Sequence, residues 1–488
     1  MFSELMRRNA LADVTSDAEA PEHQLKRSLG AIDLIALGIG AVIGAGIFSS
    51  TGSAAAGGGA HIGAGPALVV SYILTAVACG FAALCYAELA SMIPIAGSAY
   101  TYAYVTLGEF LAWVIGWDLI LEYAVGNIAV AVSWSGYFKS FVEGFGLHLP
   151  AWLVSTVTEA RMHREILAQA PHLLGIPIVV NLSAGAIVAL LTVLLIVGVK
   201  ESARVNAIIV GLKIVLVLAF IGIGAFWVAP ANWHPFAPHG FAGVMSGASV
   251  IFFSYIGFDA ISTTAEEAKN PQRDLPIGMI GSLIVCTVLY VAVTAVLTGI
   301  VPSNELGVAD PLALALQKAG LMKLAGVFAF GAVIAMTAVL LVFQLGQPRI
   351  FMSMARDGLL PAWAAKIHPR FRTPHVTTII TGVAVGVPAM FVDLGDALEF
   401  CNIGTLFAFA LVSAGVIALR YLEPDRPRPF RCPGVPLVPI LSMISCVALM
   451  LPLPRITWLR FVGWLIIGLV IYFAYGVRRS RLARVQGV

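Results

Sequence analysis

Apolar residues dominate the chain in twelve long runs separated by short polar segments. A membrane-spanning helix needs about 20 mostly apolar residues, and each run approaches or exceeds that length. Membrane β-strands would show short alternating segments instead. The pattern predicts an all-α polytopic membrane protein. Its twelve spans lie at about 31–56, 66–93, 110–138, 176–198, 205–229, 241–264, 277–301, 323–348, 375–392, 398–420, 436–454 and 456–477.

Composition narrows the class further. Of 488 residues, 59% are hydrophobic and 11% charged, whereas soluble domains average about 45–50% and 25%. This excludes a soluble enzyme, a disordered chain and a disulfide scaffold. A net charge of +3 gives no reason to expect a nucleic-acid partner. The six cysteines lack metal-ligand spacing, so we expect no metal and no cofactor.

Lys and Arg residues indicate the orientation. Twenty-one of the 29 lie in the N-terminal segment, the C-terminal tail and the loops on the same side. Seven lie in the opposite loops, and Lys213 falls inside span 5. We therefore expect both termini to be cytoplasmic, in a multi-pass protein of the cytoplasmic membrane.

Span 1 is rich in glycine, with Gly38, Gly40, Gly44 and Gly46 within nine residues. Each glycine inside a helix costs about 1 kcal/mol relative to alanine. One interpretation is close helix packing through the Gly40–Gly44 pair. The other is an unwound stretch at mid-membrane, where amides and a helix N-terminus bind a carboxylate.

Span 6 carries a similar interruption, because Gly257 and Asp259 lie deep in its apolar run. Irregular backbone is tolerated in a membrane only where it is buried in protein or lines a wet cavity. Spans 1 and 6 each begin a set of five, and interruptions at matching positions indicate an inverted-repeat transporter with its site at mid-membrane.

This gives a domain organisation of five parts. They are a cytoplasmic segment 1–30, a first repeat 31–229 with spans 1–5, a second repeat 230–420 with spans 6–10, spans 11 and 12 at 421–477, and a cytoplasmic tail 478–488.

Four strings resemble one known superfamily: Gly40–Phe48, Phe258–Ala260, Glu266–Pro276 and Arg356–Pro361. The chain looks like an amino acid–polyamine–organocation transporter from about residue 26 to 478. It is most similar to the cationic amino acid transporter family and its bacterial relatives. The resemblance implies a five-plus-five inverted repeat with two added helices.

The resemblance also implies a substrate site at the two broken spans. The substrate carboxylate would meet the span 1 amides of Gly44, Ala45 and Gly46. The substrate ammonium would meet carbonyl groups of spans 1 and 6, at Val42, Ile43, Phe253, Ser254 and Ile256. Such backbone contacts read the amino-acid head group and ignore the side chain.

Charges inside a span cost roughly 2.5–3.5 kcal/mol or more, so each needs a reason. In sodium-coupled members of this architecture a cation lies between spans 1 and 8. In proton-linked relatives a span 5 lysine resembling Lys213 takes that place, excludes sodium and can carry a proton. The alternative is that Lys213 snorkels to the membrane surface.

Three further residues are candidates for proton coupling or gating. Asp259 is expected to act as a proton-sensitive gate that hydrogen-bonds Tyr290 in span 7, with a helix cap as the alternative. Glu122 resembles an acidic family position near the site. It follows Asp118 by four residues on one face of span 3, so structural pairing is its alternative.

Phe343 in span 8 aligns with a small residue of cationic family members. A phenylalanine there should shorten the pocket, and Phe253 and Ile43 add apolar lining. We expect small neutral or apolar substrates such as alanine.

The leading hypothesis is a proton-coupled amino acid symporter that works by alternating access. Its partners would be the amino acid, protons and the lipid bilayer. The alternative is a sodium-independent exchanger or permease of cationic amino acids or polyamines. An enzyme is not expected, because no metal cluster or serine–histidine pairing can be placed. A channel is disfavoured by twelve dissimilar spans.

Overall fold

The computed structural model describes residues 29–58, 61–93, 98–162, 164–173, 176–198 and 203–481. Within these residues, eight helices are long and apolar enough to cross a membrane. A ninth candidate is a pair of helices joined at a bend, Ala31–Val42 with Gly46–Ala56. Three shorter apolar helices are also present. Each of the twelve predicted runs therefore contains a helix, and the fold is that of a polytopic membrane protein. Most of the predicted segments 1–30 and 478–488 lie outside the described residues.

The helices are numbered here in chain order. They are α1 (Ala31–Val42), α2 (Thr51–Ala56), α3 (Leu68–Met92), α4 (Ser98–Thr106), α5 (Glu109–Glu143), α6 (Val157–Met162), α7 (Arg164–Gln169), α8 (Leu182–Val197), α9 (Ala203–Gly224), α10 (Gly240–Ile251), α11 (Pro271–Ile300), α12 (Pro311–Lys318), α13 (Met322–Arg356), α14 (His375–Ala389), α15 (Leu394–Leu422), α16 (Leu437–Met450), α17 (Arg455–Ile471) and α18 (Val477–Arg479). Shorter 3-10 turns include Phe252–Tyr255 and Asp259–Glu267, and a π-helical turn spans Gly46–Ser50.

The fold is nearly, but not fully, all-α. Strand β1 (His172–Leu173) pairs antiparallel with β2 (Ile176–Pro177) in the loop before span 4. The same loop holds α6 and α7. Only two residues on each side pair, so this hairpin is a local feature of the loop.

Span 1 is interrupted where the glycine pattern predicted. Helix α1 ends at Val42, and Ile43 takes an extended backbone conformation with φ −74° and ψ 101°. The π-helical turn at Gly46–Ser50 then leads into α2. The two halves of the span are bent by 43°, so the predicted interruption of the helix at the glycine stretch is confirmed.

Span 6 is interrupted as well. Helix α10 gives way to a 3-10 turn, and Ile256 is extended with ψ 132°. Gly257 follows with φ +120°, a region that L side chains rarely adopt. The second half of the span continues as 3-10 helix from Asp259.

Long helices surround the two breaks. Helix α5 (span 3) packs against α13 (span 8) and α15 (span 10), and α11 (span 7) packs against α1 and α3. Trp117 of α5 and Trp464 of α17 stack at 4.4 Å, and each indole donates to the backbone carbonyl of the other residue. These contacts hold span 12 on span 3.

A buried histidine joins three elements near one end of the bundle. His61, in the loop after α2, lies 3.5 Å from Glu399 Oε1 of α15, and its Nε2 lies 3.1 Å from the Ser53 carbonyl. Glu399 also accepts a hydrogen bond from Thr457 of α17. Burial lowers the pKa of His61, but the contacts with Glu399 and the Ser53 carbonyl outweigh it, so that the pKa is raised above 6.5.

This raised pKa makes stability depend on pH in one direction. The protonated His61 pairs with Glu399, so its contribution is fully present below the unfolded pKa and is lost as pH rises through the folded pKa. We expect His61→Gln to lower the free energy of unfolding, and with it the melting temperature, most in mildly acidic buffer, because the substitution removes the ion pair with Glu399. The loss should be roughly 1–3 kcal/mol, between the values of an exposed and a buried ion pair. The difference should shrink as the buffer becomes alkaline.

The control is His148→Gln, because His148 is exposed and should show no pH-dependent difference. A gap between wild type and His61→Gln that widened with rising pH would contradict the assignment of a charged pair.

Candidate functional site

A small cavity lies where the interruptions of spans 1 and 6 meet. Spans 3 and 8 complete its wall. Its lining consists of backbone and apolar side chains, without a charged side chain, from Ala41, Val42, Gly44, Ala45, Gly46, Val130, Phe253, Ile256, Val339 and Phe343.

The structure brings most of the sequence-predicted substrate residues to this cavity. Seven of the nine line it, namely Val42, Gly44, Ala45, Gly46, Phe253, Ile256 and Phe343. Ile43 and Ser254 are buried but are not among the lining residues. The Ser254 hydroxyl instead lies 3.1 Å from that of Ser50 and 3.2 Å from that of Tyr72.

Three further residues line the cavity although the sequence did not indicate them, namely Ala41, Val130 and Val339. Val339 could have been found, because it precedes Phe343 by four residues and therefore shares its helix face. Ala41 adjoins the glycine stretch. Val130 carries no such signal, since it is one of many apolar residues in span 3.

The interruption of span 1 presents amides to the cavity. The helical second half of the span begins at Gly46, and the first amides of a helix have no intrahelical acceptor. They also carry the positive end of the helix dipole. Since Gly44, Ala45 and Gly46 line the cavity, this end can attract a carboxylate.

Spans 1 and 6 approach each other very closely here. A Cβ atom placed on Gly46 would lie 2.4 Å from the Cα atom of Ser254. The contact is with backbone, which cannot move aside as a flexible side chain can. The cavity therefore depends on a glycine at position 46.

The predicted hydrogen bond between Asp259 and Tyr290 is wrong. The Tyr290 hydroxyl has one proton, and it donates that proton to the Val42 carbonyl at 2.9 Å. Asp259 Oδ1 accepts instead from the amide of Gly257 at 3.2 Å. Asp259 therefore hydrogen-bonds within the break in span 6, to the amide that precedes the second half of the span, and Tyr290 holds the end of α1.

Lys213 contacts span 1 from span 5. Its side chain is 2% exposed, and its Nζ donates to the Gly40 carbonyl at 2.6 Å. The Lys213 Nζ atom thus lies inside the protein. The carbonyl that it contacts belongs to Gly40, two residues before Val42 of the cavity wall. Snorkelling to the membrane surface does not occur.

Glu122 is also buried, but it does not line the cavity. Its backbone carbonyl contacts the Cys401 thiol at 3.6 Å. One turn further along α5, a Cβ at Gly126 would touch both Cys401 and the Phe343 ring. Glu122 therefore sits one turn of α5 away from the side-chain end of the cavity.

Comparison with known proteins gives the family. The amino acid permease family profile matches residues 29–474. The chain belongs to the amino acid permease family, within the amino acid–polyamine–organocation superfamily. Its relatives are permeases and transporters, so this permease is a membrane transporter and not an enzyme.

The relatives are named after different substrates. The chain is 48% identical over 483 residues to the branched-chain amino acid permease BcaP of Bacillus subtilis (strain 168), covering 99% of this chain and 100% of that one. It is 46% identical over 481 residues to a methylthioribose transporter of the same organism, with 99% and 100% covered. It is 39% identical over 442 residues to the vacuolar cationic amino acid transporter 4 of Arabidopsis thaliana, with 89% and 69% covered.

No group of three or more His, Cys, Asp or Glu side chains suited to a metal ion occurs in the part of the chain that the structure describes. The site therefore offers backbone dipoles and apolar walls as its means of binding.

The close approach at Gly46 gives the first test of the site. We expect Gly46→Ala to weaken substrate binding by about 5- to 150-fold, because overpacking against backbone costs about 1–3 kcal/mol. Binding of the substrate to purified protein measures the loss. Gly222→Ala is the control, since nothing lies within 4 Å of a Cβ at that position. Unchanged binding by Gly46→Ala would show that the cavity is not the substrate site.

Proposed function

We propose that this permease is a proton-coupled symporter that moves small neutral or apolar L-amino acids, such as alanine, by alternating access. The observation that carries the proposal is the cavity at the two helix interruptions. Its lining combines main chain at the two breaks with apolar side chains of spans 3, 6 and 8. An amino acid with an apolar side chain has the same division between head group and side chain.

Head-group recognition rests on the two breaks. The amides at the start of the second half of span 1 favour the substrate carboxylate. Carbonyl groups released at the ends of α1 and α10 favour its ammonium. The Val42 carbonyl already accepts one hydrogen bond from Tyr290, but a carbonyl oxygen has two lone pairs and can accept a second.

Side-chain selection rests on the apolar part of the cavity lining. Val130, Val339 and Phe343 line this part of the cavity together with Phe253 and Ile256. A guanidinium or second ammonium placed against them would lose its water without gaining a partner, which is costly. The relatives' names span branched-chain amino acids, methylthioribose and cationic amino acids, so the wall, rather than relatedness, favours apolar substrates.

Lys213 is the proposed coupling residue. A lysine amine gains and loses a proton readily when it is buried, and this amine donates directly to the first half of span 1. Loss of the proton removes the charge from that hydrogen bond and loosens α1 from α9. We propose that Asp259, Tyr290 and Glu122 gate the same cycle, since two of them hold the breaks and the third lies one turn from the cavity.

We further propose that residues 31–229 and 230–420 are inverted repeats. The interruptions of spans 1 and 6, which meet at the cavity, support this. The excess of Lys and Arg on one side supports two cytoplasmic termini in a cytoplasmic membrane.

The primary test is uptake of labelled alanine into sodium-free proteoliposomes, with and without an inward proton gradient, in the presence of excess arginine. We expect accumulation that needs the gradient and resists arginine. Exchange that is independent of the gradient and blocked by arginine would identify a carrier of cationic amino acids instead.

Lys213→Ala is expected to abolish accumulation against a concentration gradient, because no amine remains to carry the proton. Lys318→Ala is the control, since Lys318 pairs with Glu305 at an exposed site. Melting curves verify that both variants fold. Uphill accumulation by folded Lys213→Ala on a pH gradient would refute the coupling role.

Phe343→Ala is expected to admit larger apolar side chains. The Phe343 ring packs edge-on against Tyr123 at 5.4 Å and closes the cavity. In competition assays with amino acids from alanine to phenylalanine, the larger members should compete more strongly against Phe343→Ala than against the wild type. Each 1.4 kcal/mol of additional binding free energy raises the affinity by about tenfold. Phe241→Ala, at an exposed position, should leave the series unchanged. An unaltered series in Phe343→Ala would place the side-chain pocket elsewhere.

A further inference from the structure

Asp118, in span 3, has an unusual carboxyl group. The residue is 0% exposed, and neither Oδ1 nor Oδ2 has a hydrogen-bond partner among the residues that the structure describes. Buried polar groups in proteins are nearly always hydrogen-bonded, so an orphaned carboxyl at this depth requires an explanation.

The carboxyl is held tightly against span 10. A Cβ atom at Gly404 of α15 would lie 2.8 Å from Asp118 Oδ1. Any residue larger than glycine at position 404 would displace the carboxyl. On the neighbouring side of α5, Trp117 is fixed to α17 by the reciprocal indole bonds. Asp118 therefore packs against span 10, and the preceding residue Trp117 packs against span 12.

A second carboxyl lies on the same helix face. Glu122 follows Asp118 by four residues, a spacing that brings side chains to about 5–6 Å between Cβ atoms. It is 2% exposed, and the Thr405 hydroxyl of α15 is within hydrogen-bonding reach of its carboxyl. The ion pairs found among the described residues involve neither Asp118 nor Glu122.

The charged and titratable groups that face this pair bring no positive charge to it. Among the described residues, those that interact with the pair come from spans 2, 3, 6 and 10 and are Tyr86, Tyr123, Asp259 and Cys401, none of which is a cation. Two adjacent anions here would repel each other, and each would have lost its hydration without a cation in return.

A proton on Asp118 removes the repulsion between the two carboxylates and the uncompensated charge at Asp118. We propose that Asp118 binds a proton and is a neutral carboxylic acid in this conformation, next to the Glu122 carboxyl on the same helix face. The proton adds to one carboxylate oxygen and takes the charge of that side chain from −1 to 0.

This pair is distinct from the Lys213 site, because Lys213 contacts α1 from α9 whereas Asp118 faces α15. The protonation state of Asp118 is a property of one side chain, and it does not depend on whether transport is proton-coupled. Its test therefore reads protonation directly rather than uptake.

The experiment is infrared difference spectroscopy of the purified permease in lipid vesicles at neutral pH, in H₂O and in D₂O. The wild type should show the C=O stretch of a protonated carboxylic acid, shifted in D₂O. Asp118→Asn, which has nearly the same shape, should lose that component. Asp396→Asn is the matched control, because Asp396 is exposed and paired with Arg460, and should lose nothing there.

A wild-type spectrum without any such band, or a band that Asp118→Asn leaves at full amplitude, would overturn the proposal. If Asp118→Asn fails to fold, Gly404→Ala provides the second test. Its methyl group would press on Asp118 Oδ1 and should move the band while the carboxyl itself is retained. A band that Gly404→Ala does not move would also overturn the proposal.

Discussion

Lipid offers no hydrogen-bond partner to a peptide group, so every amide or carbonyl released by a helix interruption must be satisfied within the protein. The structure meets this constraint with polar side chains from remote spans. Tyr290 donates to Val42, Lys213 to Gly40 and Tyr137 to the Phe48 carbonyl. Asp259 accepts from the Gly257 amide. The same side chains that satisfy the backbone therefore also connect the halves of spans 1 and 6 to the helices around them.

Buried ionisable groups are distributed on different sides of this centre. The Lys213 ammonium reaches the first half of span 1 from span 5, and a pair of carboxyls lies between spans 3 and 10. The cavity between them is lined without charge. This separation suits the proposed substrate, a zwitterion with an apolar side chain, because both of its charges would meet backbone dipoles rather than charged side chains.

Much of the fold could be predicted from periodicity and glycine placement. The twelve apolar runs, the breaks near Gly44 and Gly257, and the burial of Lys213 all follow from local composition, because a membrane leaves few alternatives to a helix. Contacts between remote spans could not be predicted. Nothing local indicates that the Tyr290 proton goes to Val42 rather than Asp259, that Val130 faces the cavity, or that Gly404 meets Asp118. These depend on helix rotation and on side-chain direction.

The contribution of backbone to the cavity has a consequence for resistance. Peptide amides and carbonyls cannot be altered by changing a codon, and at Gly46 even the smallest side chain is obstructed by the Cα atom of Ser254. An inhibitor that engages only the main chain of spans 1 and 6 would leave a cell few point mutations with which to escape it. One that relies on the wall at Val130, Val339 or Phe343 would contact side chains that a single codon change can replace.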